Sequence, residues 1–391
     1  MNIIRSVLVV FLFCSSIVFG QDWRAIHDNA VVVDTHNDVL MRAMWGEDLS
    51  VRTTKGHSDL VRLQEGGVDV QIFSIWCGEN YGKGTAFKRA NRIIDTLDAL
   101  VRRNPDKIAY ARTPEQIDAI VQSHRIAALI GVEGGHMIED NMDYLDSLAK
   151  RGMNYMTLTW NNSTSWASSA VDETYHADSL SHKGLTPFGK EIIHRMNTLG
   201  VMVDLSHVGV QTFWDAIHTT SKPVIVSHSC AYTLCPVPRN LNDDQIKAVA
   251  KNNGVICVNF YSGFLDSTYD RKSREIQHRN QALIDSVHQT VADRDRASSI
   301  IDSLLAPQYD AIRPPLSLLI DHIDYIAKLA GVDHVGIGSD FDGMESTPKE
   351  MDDVTFLPNV TRELVQRGYS ESDIDKILGG NVLRVFKANV E

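Results

Sequence analysis

Eight short apolar runs recur along the chain, and five of them end on a side chain that can bind a metal ion or transfer a proton. Segments of helical spacing separate them, such as the one that starts at Thr186-Pro187 and continues through Ile192. Strands that alternate with helices form a parallel sheet whose carboxyl ends open on one face. The pattern predicts an α/β fold, a (β/α)8 TIM barrel of the metal-dependent hydrolase type. The runs are 31–38, 68–76, 126–133, 155–160, 201–207, 223–228, 254–260 and 334–340.

Length and charge narrow the class of protein. A chain of 391 residues, 43% of them hydrophobic, can bury the core of one large barrel, and we predict a single domain over 21–391. The net charge of -12 disfavours binding to nucleic acid or to an anionic membrane surface. An enzyme that acts on a small molecule fits this composition best.

The first 20 residues have the pattern of a secretory signal peptide. Arg5 precedes an apolar stretch over 7–13, and small residues suited to cleavage stand before Gln21. A transmembrane anchor needs about 20 apolar residues, and this run is shorter. A lipid on Cys14 is a further alternative, although the bulky Phe13 is wrong for a lipoprotein cleavage site. We predict export to the periplasm or the cell exterior.

Four cysteines remain after signal cleavage: Cys77, Cys230, Cys235 and Cys257. An oxidising compartment permits a bridge from Cys235 to either Cys230 or Cys257, but sequence does not set the connectivity. A core of this size is stable without disulfides, so buried free thiols are the other reading.

Residues 267–315 interrupt the regular alternation of strands and helices. The segment is rich in charged side chains, yet Ile276, Leu283, Val287 and Val291 keep a helical spacing. A helical insertion at this end of a barrel can serve as a lid, a dimer contact or a solvated surface element.

Five side chains at the ends of the predicted strands form a candidate metal site. Alternate residues of a strand point the same way, so His36 and Asp38 both face the barrel mouth. Glu133 ends an apolar strand, where an unpaired carboxylate is costly to bury and a cation is the natural partner. His207 and His228 end consecutive strands about 4.8 Å apart and can share an ion. Glu133, with two oxygens, can join two metal sites.

Two further residues are candidates for catalysis and binding. Asp340 ends the last strand, where a carboxylate beside a metal can accept a proton and pass it to a leaving amine. Asp342 competes for this role, although its place before Gly343 favours a turn. Arg239 follows Pro236 and Pro238 in a stiffened loop and could bind a substrate carboxylate.

The chain resembles the membrane (renal-type) dipeptidase family of zinc dipeptidases, and looks like an exported bacterial member. The resemblance runs over about 30–390. It is carried by Asp34-Thr35-His36-Asn37-Asp38, Gly131-Val132-Glu133-Gly134-Gly135, Met156-Thr157-Leu158-Thr159, Asp204-Leu205-Ser206-His207-Val208, Val226-Ser227-His228-Ser229, Arg239-Asn240 and Gly338-Ser339-Asp340-Phe341-Asp342-Gly343.

The resemblance implies a binuclear zinc site and a dipeptide substrate. By analogy, His36 and Asp38 hold one zinc ion, His207 and His228 hold the second, and Glu133 and a hydroxide bridge them. The hydroxide attacks the peptide bond while Asp340 transfers the proton. Arg239 would bind the C-terminal carboxylate, and family members accept a C-terminal D-residue as well as an L-residue. The family's frequent dimerisation suggests a homodimer.

The chain departs from the family pattern in three places. The family commonly has a histidine beside the substrate where this chain has Trp160, so Trp160 and Asn161, or else Asn162, are candidate substrate contacts. Cysteines of the mammalian members correspond to Ser163 and Ser267, which would leave Cys77 and Cys235 unpaired. The chain also ends without a hydrophobic extension for a lipid anchor, so we expect no stable membrane anchor.

Two other functions use the same cluster of residues. A metal-dependent amidohydrolase could cleave N-acyl amino acids or related amides. A non-catalytic zinc-binding or peptide-binding protein is the second alternative, but Asp340 argues against it because binding needs no proton transfer.

Overall fold

Nine parallel strands form one sheet in the computed structural model, which describes residues 22–391. β2 pairs with β1 and β4, and β1 also pairs with β9, so the sheet closes into a ring. The (β/α)8 barrel predicted from the sequence is therefore confirmed. The strands are β1 Val32–Asn37, β2 Val68–Trp76, β3 Ile108–Tyr110, β4 Ile126–Glu133, β5 Met153–Thr157, β6 Met202–Asp204, β7 Ile225–Val226, β8 Val255–Val258 and β9 Val335–Ile337.

Helices connect the strands and cover the outside of the barrel. The α-helices are α1 Trp23–Asn29, α2 Leu40–Met44, α3 Leu60–Glu65, α4 Ala86–Arg103, α5 Pro114–Gln122, α6 Met142–Arg151, α7 Ala170–Tyr175, α8 Pro187–Leu199, α9 Val210–Thr219, α10 Asp243–Lys251, α11 Ser262–Leu265, α12 Tyr269–Arg279, α13 Gln281–Thr290, α14 Arg294–Asp310, α15 Leu316–Ala330, α16 Pro358–Gln366, α17 Glu371–Asp375 and α18 Asn381–Val390. A π-helix, Lys376–Gly380, joins α17 to α18. Short 3-10 helices cover Gly135–Ile138, Ala177–Ser179, Val332–His334 and Val354–Phe356.

The strands are buried on both faces, which explains their continuous apolar runs. Successive residues of β2, Ile72 and Phe73, belong to different apolar clusters, and so do Leu129 and Ile130 of β4. One of each pair packs inside the ring and the other packs under the helices, because side chains alternate along a strand. This packing fixes which residues face the barrel mouth.

The strand count and several strand ends differ from the sequence prediction. β3 is a ninth strand that runs beside the start of β4 and was not predicted. The last four barrel strands, β6 to β9, are also shorter than the apolar runs that contain them. His207 and Asp340 lie three residues beyond the ends of β6 and β9, each with a φ of 63°. This left-handed backbone does not fit a β ladder, so the strands stop before these two functional residues.

The predicted insertion contains three helices, α12 to α14, which share a small apolar core around Ile276, Ile301 and Leu305. The segment leaves the barrel after β8, and its far end lies beside α4, where Asp295 is 4.0 Å from Arg89. The insertion thus spans from the end of β8 to the helix that follows β2.

The four cysteines are buried free thiols, so neither of the two bridges considered from sequence forms. The predicted signal peptide over 1–20 lies outside the described residues. Among residues 22–391, no helix combines the length and the apolar composition needed to cross a bilayer.

Candidate metal centre

Glu133 lies at the centre of the side chains predicted to bind metal. Its Oε2 atom is 3.3 Å from Nε2 of His36, and its Oε1 atom is 2.9 Å from Nε2 of His207 and 3.5 Å from Nε2 of His228. Asp38 Oδ2 is 3.4 Å from Nε2 of His36. All five side chains are buried. The two oxygens of Glu133 therefore face two separate groups of ligand atoms.

The hydrogen bonds of Tyr155 fix the proton of His36. The Tyr155 hydroxyl donates to the Thr35 carbonyl at 3.1 Å, and its oxygen is 2.7 Å from Nδ1 of His36. Since the Thr35 carbonyl can only accept, both contacts are satisfied when the hydroxyl donates to Thr35 and Nδ1 of His36 donates to the hydroxyl oxygen. Nε2 of His36 then carries a lone pair directed at Asp38 and Glu133, as a metal ligand requires.

The same reasoning applies to the other two histidines. Asn161 Oδ1, an acceptor, is 3.0 Å from Nδ1 of His207, so that nitrogen donates. Ser227 Oγ donates to Asp204 at 2.6 Å and therefore accepts from Nδ1 of His228 at 2.8 Å. Both imidazoles present Nε2 as a lone pair.

The Nε2 lone pairs of the three histidines lie close to one another and to carboxylate oxygens, an arrangement that a bound cation would stabilise. Nε2 of His207 is 3.0 Å from Nε2 of His228, and both face Oε1 of Glu133. Nε2 of His36 and Oδ1 of Asp38 are buried with no hydrogen-bond partner. Facing lone pairs repel one another, and buried orphan acceptors are costly. Imidazole nitrogens and carboxylate oxygens are common zinc ligands, so the residues fit a metal centre.

The protonation equilibria agree with this assignment. Burial lowers the pKa of His207 to about 3 and that of His228 well below its usual value, so both rings are neutral near pH 7. Burial also acts to lower the pKa of His36, but Tyr155, Glu133 and Asp38 outweigh it and raise that pKa well above its usual value. Without a metal ion the His36 side of the cluster therefore takes up a proton, and a bound cation would take the place of that proton at Nε2.

Asp340 joins the cluster from the loop after β9. One of its oxygens lies within 4.8 Å of ligand atoms of His36 and Asp38, and its Oδ2 accepts a hydrogen bond from Asn259 at 2.9 Å. Burial and the negative charges of Asp38 and Glu133 raise the pKa of Asp340 to about 7. A carboxyl with this pKa can both accept and donate a proton near neutral pH.

Asp342, the competing candidate, is bound elsewhere. Its carboxylate accepts from the backbone N–H groups of His57 and Ser58 at 2.8 and 3.0 Å, and it is paired with Arg42 at 3.3 Å. These contacts anchor the loop after β9 to the segment before α3, which is a structural role.

Arg239 is buried in the loop after β7 and lies over the Phe264 ring, 5.2 Å from its centroid. Its guanidinium donates two long hydrogen bonds of 3.3 Å, to Ser229 Oγ and to the His228 carbonyl, while Nε has no partner. Burial lowers the pKa of Arg239 to about 10, so the group stays charged at neutral pH. Because these N–H groups make only long hydrogen bonds or none, they can donate to a bound carboxylate.

Trp160 and Asn161 follow β5 at the rim of the centre. The Trp160 ring is 5.2 Å from the Trp76 ring and 6.3 Å from the His207 ring. The Asn161 amide holds the imidazole of His207. Substrate binding by Trp160 and Asn161 stays a prediction.

Sequence analysis missed the residues that orient the ligands. Tyr155, Asn259 and Ser227 hold His36, Asp340 and His228 respectively. Two buried carboxylates, Asp34 and Asp204, lie beneath them. The only signal for the acidic pair was a carboxylate inside an apolar run, which is costly to bury without donors nearby. No such signal marks Tyr155, since a tyrosine is common in a buried strand.

Comparison with known proteins finds a family whose model matches this chain. Residues 21–391 match the model of the family described as membrane dipeptidase (peptidase family M19). An uncharacterized dipeptidase of Schizosaccharomyces pombe is 34% identical over 386 residues, which is 94% of this chain and 82% of the relative.

Two solved structures have the same fold. The probable dipeptidase PvdM from Pseudomonas aeruginosa is 25% identical, with a TM-score of 0.77 over 94% of this chain and 98% of that one. A metallopeptidase from Rhodobacter sphaeroides, liganded with a phosphinate mimic of the dipeptide L-Ala-D-Ala, is 22% identical. Its TM-score is 0.74 over 92% of this chain and 99% of that one.

Proposed function

The chain belongs to the membrane dipeptidase family, and on that premise we propose that it is a binuclear zinc dipeptidase that hydrolyses the peptide bond of dipeptides. The observation that carries this proposal is the position of Glu133, whose two oxygens face two sets of ligand atoms. His36 and Asp38 would hold one zinc ion, and His207 and His228 would hold the other. Zinc ions bound here would polarise the substrate carbonyl and lower the pKa of water.

The remaining residues bind the substrate and move a proton. The Arg239 guanidinium would receive the C-terminal carboxylate and so place the peptide bond beside Glu133. Hydrolysis adds the oxygen of water to the carbonyl carbon and breaks the carbon–nitrogen bond. Asp340, beside His36 and Asp38, would take the proton from water and deliver it to the leaving amine nitrogen.

We further propose that dipeptides with a C-terminal D-residue are substrates. The Rhodobacter sphaeroides protein of the same fold was solved with a mimic of L-Ala-D-Ala. In this proposal the buried guanidinium of Arg239 binds the carboxylate, which can reach it from either configuration of the last residue.

Metal analysis combined with a substrate panel tests these proposals. We expect two zinc ions per chain, loss of dipeptide hydrolysis on chelation and recovery with zinc. The panel pairs L-Ala-L-Ala and L-Ala-D-Ala with N-acetyl-alanine, so a preference for the acylated amino acid would favour an amidohydrolase instead. Activity that survives metal removal would refute the metal mechanism. Bound zinc without hydrolysis of any panel member would favour a binding protein.

Export and dimerisation are separate proposals. Cleavage of the signal should leave Gln21 as the first residue of the mature chain. Terminal sequencing by mass spectrometry and light scattering of the purified chain test the two points. An uncleaved terminus would contradict export, and a monomeric mass would contradict the dimer.

A further inference from the structure

Two half-buried indoles lie together at the rim of the metal centre. Trp76 is the last residue of β2, where it pairs in register with Glu133, and Trp160 follows the end of β5. Their ring centroids are 5.2 Å apart with an interplanar angle of 65°, an edge-to-face contact. The Trp160 ring is also 6.3 Å from the His207 ring. The pair thus forms an aromatic wall beside the ligands.

The local backbone holds this wall close to the centre. At Gly134, directly after Glu133, an added Cβ would lie 3.3 Å from Trp160 Cβ, so the strand end and the tryptophan are in close contact. The Trp76 indole N–H is buried and has no hydrogen-bond partner. One part of the Trp76 ring packs against the main apolar cluster, and its half-buried remainder is available to an apolar ligand group.

The wall lies across the barrel from the carboxylate-binding arginine. Around the ring the strand order is β1, β2, β4, β5, β6, β7, β8 and β9, so β2, β4 and β5 lie opposite β7, β8 and β9 respectively. Arg239 and Phe264 belong to the loops after β7 and β8, whereas Trp76 and Trp160 belong to the other side. A dipeptide whose carboxylate is at Arg239 and whose peptide bond is beside Glu133 would point its N-terminal residue at the wall.

We propose that Trp76 and Trp160 form the subsite for the N-terminal side chain and make the enzyme prefer dipeptides with a large apolar or aromatic residue there. The inference rests on the proposed dipeptidase function. A single methylene in an apolar pocket changes kcat/KM by about 10-fold to 200-fold between substrates. We therefore expect wild-type enzyme to favour Phe-Ala over Gly-Ala by at least about 10-fold.

Truncation of each indole tests the wall. Trp76→Ala and Trp160→Ala should each reduce the ratio of kcat/KM for Phe-Ala to that for Gly-Ala by about 10-fold. Trp160→Phe should keep most of the preference, because a ring remains, and Trp160→Leu replaces the alanine variant if that variant is unstable. Trp214→Phe, on α9 beside Phe213 and His218, is the matched control and should leave the ratio unchanged.

A binding measurement tests the contact with the aromatic wall independently of turnover. The dissociation constants of phosphinate dipeptide mimics that carry phenylalanine or glycine in the N-terminal position should show the same loss of preference in both alanine variants. An unchanged ratio in both variants overturns the inference while dipeptide hydrolysis, and with it the proposed function, stands. A change in the Ala-Phe to Ala-Gly ratio instead would mean that the wall contacts the C-terminal residue. If zinc-loaded wild type hydrolyses no dipeptide, the proposed function fails and this inference fails with it.

Discussion

Tyr155→Phe removes one oxygen atom and should weaken metal binding at the His36 side of the centre. In the wild type this hydroxyl accepts from Nδ1 of His36 at 2.7 Å and donates to Thr35 at 3.1 Å. Without it, a buried N–H of His36 loses its acceptor, which costs about 1–3 kcal/mol. The imidazole can avoid that cost by moving its proton to Nε2, the atom that faces Asp38 and Glu133. Metal affinity should therefore fall by about 10-fold to 100-fold.

The assay is zinc competition against a chromophoric chelator, with metal content measured on the same samples. One zinc ion should be lost at lower chelator concentration, while the ion at His207 and His228 is retained. Tyr110→Phe is the matched control, because its hydroxyl donates to Asp98 at 2.8 Å, between β3 and α4. Wild-type affinity for both ions in Tyr155→Phe would refute the proton assignment of His36.

Three further substitutions test other parts of the site. Asp340→Asn should lower kcat by about two to four orders of magnitude with both metals retained, as kinetics and metal analysis will show, whereas loss of metal would make Asp340 a ligand. Arg239→Ala should chiefly raise KM for dipeptides with a free carboxylate, and an equal loss on C-terminal amides would contradict the contact. Gly131→Ala would place a Cβ 2.1 Å from the Tyr155 ring and should lower stability by about 1–3 kcal/mol in a denaturant titration; wild-type stability would show that the ring moves freely.

The barrel and its metal ligands were predictable because both depend on local sequence. The barrel strands overlap the apolar runs of the sequence, and each ligand lies within three residues of a strand's carboxyl end, as with Glu133 and His228. The true ends of β6 and β9 were not predictable, since they depend on the left-handed backbone at His207 and Asp340. β3 was missed because three residues carry too little periodicity.

The residues that orient the ligands depend on contacts between distant parts of the chain. Tyr155 holds His36 from 119 positions away, and Asn259 holds Asp340 from 81 positions away. Tyrosine and asparagine have many roles in buried strands and loops, so neither residue type indicates such a partner. Only the closed barrel brings these pairs together.

The two buried carboxylates beneath the centre, Asp34 and Asp204, allow a matched test of the residues that orient the ligands. Asp204 accepts from Thr157, from the backbone of Ser206 and from both donors of Ser227, and Asp34 similarly accepts from the backbone and hydroxyl of Ser339 and from Gln71.

The two carboxylates differ in one respect. Ser227 also holds the imidazole of His228, whereas the Ser339 hydroxyl, which donates to Asp34, accepts from the backbone N–H of Phe341 and holds no imidazole.

An asparagine at either position presents an N–H group where an acceptor is needed, so Asp34→Asn and Asp204→Asn should both lower the unfolding temperature. In Asp204→Asn, Ser227 loses its acceptor and can turn its proton towards Nδ1 of His228, which forces the imidazole proton onto Nε2. Only this variant should lose the zinc ion held by His207 and His228. Equal zinc affinity in the two variants would mean that the serine does not set the tautomer.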